Sequence, residues 1–193
     1  MTYSLLLNEL RRIVTFPDKD FLKATPLLER IQVKKGEHLL KAGDISRKVY
    51  FIEEGCLRQY LINSNGEERN IYFKVECGWC SELVSFLNNS PTELNIQALE
   101  DSQLLAINQK NWIYAVTHIP PFTMYFIKAQ QETNYMLKKR LGEATVETPE
   151  EKYTRFLNEE SHLLQRLPFF QIAAYLGMTP ETLSRIRKKI GSK

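Results

Sequence analysis

The chain is 193 residues long, with 43% hydrophobic and 25% charged residues and a formal net charge of +3. That balance excludes a disordered or collagen-like chain and leaves room for one large domain or two small ones with a real core. Its longest apolar stretches, such as Leu5 to Leu7 and Val49 to Ile52, fall far short of the roughly 18 residues that span a bilayer, and no basic-apolar-small leader opens it, so a cytoplasmic protein with no membrane partner is expected.

Residues 4 to 13 place Leu5, Leu6, Leu7, Leu10 and Ile13 at helical spacing, and a second short helix is predicted around Asp18 to Ala24. From Ile31 to Ile107 the pattern changes to short β-branched and aromatic runs, punctuated by glycines at 36, 43, 55, 66 and 78, the turn spacing of an antiparallel roll. Asn65-Gly66 between Leu57 to Ile62 and Ile71 to Val75 predicts a hairpin with a type I′ turn, because both central residues then need positive φ. Leu94 to Leu99 and Gln103 to Ile107 read as two further strands joined by Glu100, Asp101 and Ser102.

After Pro120 and Pro121 come about 20 residues without glycine or proline, in which Phe122, Phe126, Ala129, Thr133, Met136 and Leu137 recur at three and four. The stripe predicts one long helix, which either covers the roll or pairs with a partner helix; its polar flanks favour the partner. Gly142 is expected to end or bend it. Thr148-Pro149-Glu150-Glu151 then supplies a cap, a proline at the first helical position and first-turn acids, opening a helix through about Glu159.

From Phe169 the chain reads FFQIAAYLGMTPETLSRIRKK, which fits two short helices crossing over a tight turn. Ile172, Leu176, Met178, Leu183 and Ile186 would form the shared core, Ala173 the close crossing, Gly177 the left-handed end of the first helix, and Thr179 and Pro180 the start of the second. Helical geometry leaves Thr179, Pro180, Glu181, Ser184, Arg185 and Lys188 on the opposite face. There Arg185 suits guanine O6 and N7, Glu181 can accept from cytosine N4, and Arg187, Lys188 and Lys189 suit phosphates. Residues 178 to 193 hold Arg185, Arg187, Lys188, Lys189 and Lys193 against Glu181, so this end carries +4 and the rest −1. Such an end either meets an anionic partner or is a solvated basic face on a generic helical hairpin.

Taken together, roll, long helix and helix-turn-helix resemble the Crp/Fnr family over nearly the whole chain. The resemblance is carried by V-K-K-G-E-H-L-L-K-A-G-D at Val33 to Asp44, V-Y-F-I-E-E-G at Val49 to Gly55, and I-A-A-Y-L-G-M-T-P-E-T-L-S-R-I at Ile172 to Ile186. It implies an α+β fold: a cyclic-nucleotide-binding-like antiparallel β-roll sensor domain with flanking helices over residues 1-119, a dimerisation helix over 120-142 and a helix-turn-helix DNA-binding domain over 143-193. It further implies a homodimer on double-stranded DNA with a two-fold operator, RNA polymerase as a partner, and no enzymatic activity. Glu181 and Arg185 match two of the family's three base-reading positions, while Pro180 replaces the arginine of the first. The trailing β-hairpin wing of the family is not expected after the recognition helix.

The resemblance also places an effector pocket in a cassette from Cys80 to Ala98. Glu82 matches the family's ribose-binding glutamate, Ser81 replaces the preceding glycine, and Thr92 and Glu93 stand where an Arg-Ser pair holds the cyclic phosphate. Loss of an arginine-phosphate contact costs about 1.5 to 3 kcal/mol. A carboxylate about 4 Å from the phosphate adds repulsion on the order of 4 kcal/mol at an effective dielectric near 20. Cyclic AMP is therefore disfavoured, no cofactor is expected, the effector is left unidentified, and Glu82 has a competing reading as a capping or surface residue. Three cysteines, Cys56, Cys77 and Cys80, cannot make a disulfide framework. Cys77-Gly-Trp-Cys80 has metal or redox spacing, but two cysteines in a β-roll are usually core filler. A second reading of the whole, a cupin-like metal-binding or redox-sensing β-roll with a helical tail, requires clustered ligands, and the roll holds only His38 among histidines. No metal is assigned.

Overall fold

The structure, a computed structural model, describes residues 3–191. Two helices open it, α1 (Ser4–Ile13) and α2 (Asp18–Ala24), where leucine spacing and the acids Asp18 and Asp20 place them. Strands β1 (Glu29–Val33), β2 (His38–Leu40), β3 (Lys48–Glu54), β4 (Leu57–Ile62), β5 (Glu68–Lys74), β6 (Trp79–Cys80), β7 (Asn95–Ala98) and β8 (Ser102–Asn108) follow, with α3 (Leu83–Asn88) between β6 and β7. They form two four-stranded sheets, ordered β1-β8-β3-β6 and β2-β7-β4-β5. The chain continues into α4 (Gln109–His118), α5 (Pro120–Val146), α6 (Pro149–Glu159), α7 (Phe169–Leu176) and α8 (Pro180–Gly191).

The first sheet is buried on both faces, and strand alternation sorts its side chains. Tyr50, Ile52, Leu104 and Ala106 turn inward to meet Leu40, Leu57, Ile96 and Ala98 of the second sheet. Val49, Phe51, Leu105 and Ile107 turn the other way, under Leu6 and Leu10 of α1, Trp112 and Ala115 of α4, and Phe122 and Tyr125 of α5. A polar chain stitches this helical layer together. The Tyr125 hydroxyl donates to Glu9 at 3.0 Å and accepts from Trp79 Nε1 at 2.9 Å, while Arg12 grips Glu9 and reaches Glu132 at 3.1 Å. Burial pushes the Tyr125 phenol well above its ordinary value, so it remains a donor.

Three expectations need correction. The β4-β5 hairpin is real, but its turn is not type I′: positive φ falls on Gly66, at 79°, and not on Asn65. Asn63 O accepts from the Gly66 N–H at 3.0 Å and Asn63 N–H donates to Glu67 O at 3.0 Å, the wider turn in which a left-handed glycine is the last of four residues. Asn63 decides it, since its side-chain oxygen accepts from both Asn65 and Glu67 N–H groups. Second, α5 does not end at Gly142 but continues to Val146. A Cβ there would meet nothing within 4 Å, and a Lys139–Glu143 pair at 3.5 Å spans it, so the roughly 1 kcal/mol glycine penalty is tolerable. Third, Glu100 and Asp101 join strands of different sheets, and Ser102 already belongs to β8.

The chain gathers into two compact units. One runs through Gln59 and resumes at Phe73–Thr133; the other comprises Tyr60–Tyr72 and the residues from Asn134 onward. No helix among the described residues is long and apolar enough to cross a membrane.

The packing of the roll generates three predictions. Gly55 has φ 109°, and an added Cβ would stand 2.2 Å from Ser102 Oγ and 2.8 Å from Ser102 Cα. Gly55→Ala should cost about 2 to 4 kcal/mol, lowering the melting temperature by about 5 to 15 °C; an unchanged calorimetric melt refutes the clash. Burial pushes the Cys80 thiol up to about 12 from 9.0, and burial also raises Cys77. With its folded value raised, Cys80 stays protonated while its unfolded counterpart ionises, so its contribution to stability should be lost as pH climbs from 9 toward 12. A thiol reagent at about pH 8 should find Cys56 and Cys80 protected in the native chain and all three thiols in denaturant, contrary to native reaction at denatured rates.

Candidate nucleic-acid interface

The C-terminal helices are built by local capping. Thr148 and Glu151 form a reciprocal box at the start of α6: Thr148 N–H donates to Glu151 Oε2 at 2.8 Å, and the Glu151 N–H donates to Thr148 Oγ1 at 3.3 Å. That bonding holds the Glu151 carboxyl below the usual range. Gly177, with φ 70°, ends α7, and the Met178 N–H closes the turn onto Ala173 O at 3.0 Å. Thr179 Oγ1 accepts from the Thr182 N–H at 3.2 Å, capping α8, and Glu181 in its first turn has a lowered carboxyl, chiefly through a backbone hydrogen bond.

Ile172, Ala173 and Leu176 of α7 are buried with Leu183 and Ile186 of α8, alongside Tyr153 and Phe156 of α6 and Leu163 and Leu167 of the connection. Met178, assigned to this core, is half-buried. With that stripe inward, Thr179, Pro180, Glu181, Arg185, Arg187, Lys188 and Lys189 are exposed, and Ser184 is half-buried at the border. A groove of about 220 Å³ runs along α8, lined by Pro149, Glu150, Thr182, Arg185, Ile186 and Lys189. Thr182 Oγ1 accepts from Arg185 at 3.3 Å, and Glu150 pairs with Lys189 at 3.2 Å. Thr182 and Glu150 were not among the sequence candidates; the i, i+3 spacing of Thr182 to both Thr179 and Arg185 is the signal that could have found the former. Lys193 lies outside the described residues.

The stripe assigned to a partner helix divides in two. Phe122 is 2% exposed within the helix-side core of its own roll, and Phe126 and Ala129 pack against that core, so these three cover the roll rather than face outward. Trp112 takes Phe126 edge-on at 3.7 Å between ring centroids. Thr133 is half-buried, and Met136 and Leu137 are exposed. Beyond Thr133 lie further exposed apolar side chains: Tyr135 at 67%, Leu141 at 70% and Val146 at 80%.

In the cassette, Glu82 caps α3, its carboxylate accepting from the Val84 and Ser85 N–H groups at 3.2 and 2.6 Å. Thr92 is fixed to the Gly43-Asp44 turn by two backbone bonds, and its hydroxyl accepts from the Leu94 N–H at 3.0 Å. Glu93 is exposed. Residues 81–98 contain no lysine or arginine. Two side-chain atoms of the roll, Gln59 Oε1 and Asn95 Nδ2, are buried without a hydrogen-bond partner. The two cysteines of the Cys77-Gly-Trp-Cys80 run belong to opposite faces of the first sheet, Cys77 against the helix-side core and Cys80 between the sheets. Among the described residues no three His, Cys, Asp or Glu side chains are placed to hold a metal.

The cyclic nucleotide-binding domain model matches residues 30–116. The chain is 24% identical over 174 residues to the cyclic AMP receptor protein of Thermus thermophilus, covering 84% of this chain and 77% of that protein. It is 26% identical over 193 residues to the fumarate and nitrate reduction regulatory protein of Vibrio cholerae, covering 89% and 73%. A solved structure of a CooA mutant from Carboxydothermus hydrogenoformans matches the whole chain and 86% of its own with a TM-score of 0.72 at 18% identity, which shows a shared fold. With the two-sheet roll, the long helix and the crossed C-terminal helices in one order, the chain carries a cyclic nucleotide-binding domain over residues 30–116 and is similar along most of its length to Crp/Fnr-type regulators.

Proposed function

We propose that the protein is a homodimeric operator-binding regulator in which α8 enters the DNA major groove. One observation carries the reading: Glu181 and Arg185 are exposed on the side of α8 opposite the buried Leu183 and Ile186. Arg185 reads guanine with its planar fork, Glu181 accepts from cytosine, Thr179 and Ser184 border them, and Arg187, Lys188 and Lys189 meet phosphates. Two copies pair along the second half of α5, through Thr133, Met136 and Leu137 with Leu141, so that two α8 helices meet half-sites about 34 Å apart. The exposure of that half supports the pairing; Phe122, Phe126 and Ala129 serve the roll instead. RNA polymerase is the partner that family kinship proposes, inside the cytoplasm, with no reaction catalysed.

The sensor domain answers an effector other than cyclic AMP held by the family's phosphate anchor, or answers none. Glu82 is engaged at the N-terminus of α3, Thr92 is engaged in a turn, and no cation in residues 81–98 could neutralise a phosphate. An effector acts only by binding one dimer geometry better than another.

Two measurements test this reading. With about six phosphates neutralised per dimer, operator affinity measured by fluorescence anisotropy should fall about a thousandfold between 50 and 200 mM salt, and Arg185→Ala should lose about 1 to 3 kcal/mol of base discrimination at one position. Full affinity and unchanged sequence preference in Arg185→Ala would remove it as a base reader. Cyclic AMP at about 1 mM should leave the melting temperature unchanged, since binding that weak contributes little; saturable calorimetric binding contradicts the cassette argument.

A further inference from the structure

The first turn of α6 carries two acids that do different things. Glu151 closes the capping box with Thr148. Glu150, one residue before it, takes no part in that box. Its carboxylate crosses to α8 and pairs with Lys189 Nζ at 3.2 Å, with both side chains still open to solvent. The two helices belong to one compact unit and pack against each other, with Tyr153 and Phe156 of α6 and Leu183 and Ile186 of α8 buried. Glu150 therefore lines the same groove as Arg185 and Lys189.

The two cations of that groove have partners of different charge. Arg185 donates to a neutral hydroxyl, Thr182 Oγ1 at 3.3 Å, and keeps its full charge for an anion. Lys189 is matched by a carboxylate, so the formal charge of the groove is +1 rather than +2. Bonding to its own backbone N–H and to Lys189 holds the Glu150 carboxyl below its ordinary value, so the acid is ionised through the neutral range. A phosphate oxygen bonded to Lys189 would come within about 6 Å of it, closer than the Debye length of about 8 to 10 Å. The lysine would then serve two anions, and the phosphate would meet the repulsion of the second. We propose that Glu150 is an affinity-limiting acid of the DNA-facing surface, which from α6 opposes backbone phosphate at Lys189 on every duplex alike. This rests on the reading of α8 as the DNA-contacting helix. Sequence-independent affinity comes almost wholly from phosphates, so the acid holds that background down while the base contacts of Arg185 are left intact. A plain tie between α6 and α8 has the opposite sign, because removing a tie can only loosen the binding surface.

The experiment compares the full chain with Glu150→Gln and Glu151→Gln, on an operator selected from a random pool and on a scrambled duplex of equal length. Fluorescence anisotropy follows both from about 50 to 200 mM salt. Glu150→Gln should tighten both duplexes about tenfold per dimer at the lowest salt and steepen the salt dependence by about one to two units, since one opposing charge per subunit is gone. Its melting temperature should move by less than about 3 °C, because an exposed pair contributes little to stability. Glu151→Gln removes the same charge one residue away, from the cap instead of the groove; it should lower the melting temperature and tighten binding no more than about twofold. Unchanged or weaker binding by Glu150→Gln overturns the proposal, as does an equal gain in Glu151→Gln. If the pool yields no preferred sequence yet Glu150→Gln tightens the scrambled duplex, the proposed function fails and the role of Glu150 stands. If neither the unaltered protein nor Glu150→Gln holds a duplex at the lowest salt, both fail.

Discussion

The fold depends on one constraint, a sheet with two apolar faces. In β3 and β8 successive residues alternate between the second sheet and the helices, and every one of Val49 to Ile52 and Leu104 to Ile107 is buried. Burying a large aliphatic or aromatic side chain contributes about 1.5 to 3 kcal/mol, so neither face can be left to water. The second sheet covers one face. The other is covered by α1, α4 and the first half of α5, with Trp112, Phe122 and Phe126 filling the space between ring and strand.

That requirement divides the long helix. Its first half is held by the roll and by the Trp79, Tyr125 and Glu9 chain of hydrogen bonds; its second half is exposed except where Arg140 and Glu143 turn toward the C-terminal helices. There Lys139, Glu143, Glu147, Arg155 and Glu159 tie α5 to α6 through bonds of 2.9 to 3.5 Å. Networks of this kind outlast isolated surface pairs because each charge keeps a partner when another moves. One helix therefore packs on the roll at one end and on the C-terminal helices at the other.

The helix-turn-helix was legible because its signals are short-range. A cap, a proline at the first helical position and a left-handed glycine act within one turn of chain, and Thr148, Gly177 and Thr179 stand in those roles. The belonging of Glu82 to a helix cap was among the readings open from sequence for the same reason. Signals that needed distant partners were less legible. Helix α4 was not anticipated, since its buried face, Trp112 and Ala115, is defined by α3 and α5 rather than by its own periodicity. Asn70 carried a weak hint, an amide inside a strand, where such residues are disfavoured. Its partner Gln171 is 101 residues away.

From the sequence alone came the order of elements, the roll's strands, the capped helices and the outward face of α8, because hydrophobic period and capping chemistry are written in residues three or four apart. The tertiary structure decided which half of the α5 stripe is buried, that Gly142 sits inside a helix, that Asn63 rather than Asn65 sets the hairpin turn, and that Cys77 and Cys80 face opposite cores. Each of these depends on what packs against a residue from far along the chain, and no local spacing encodes that.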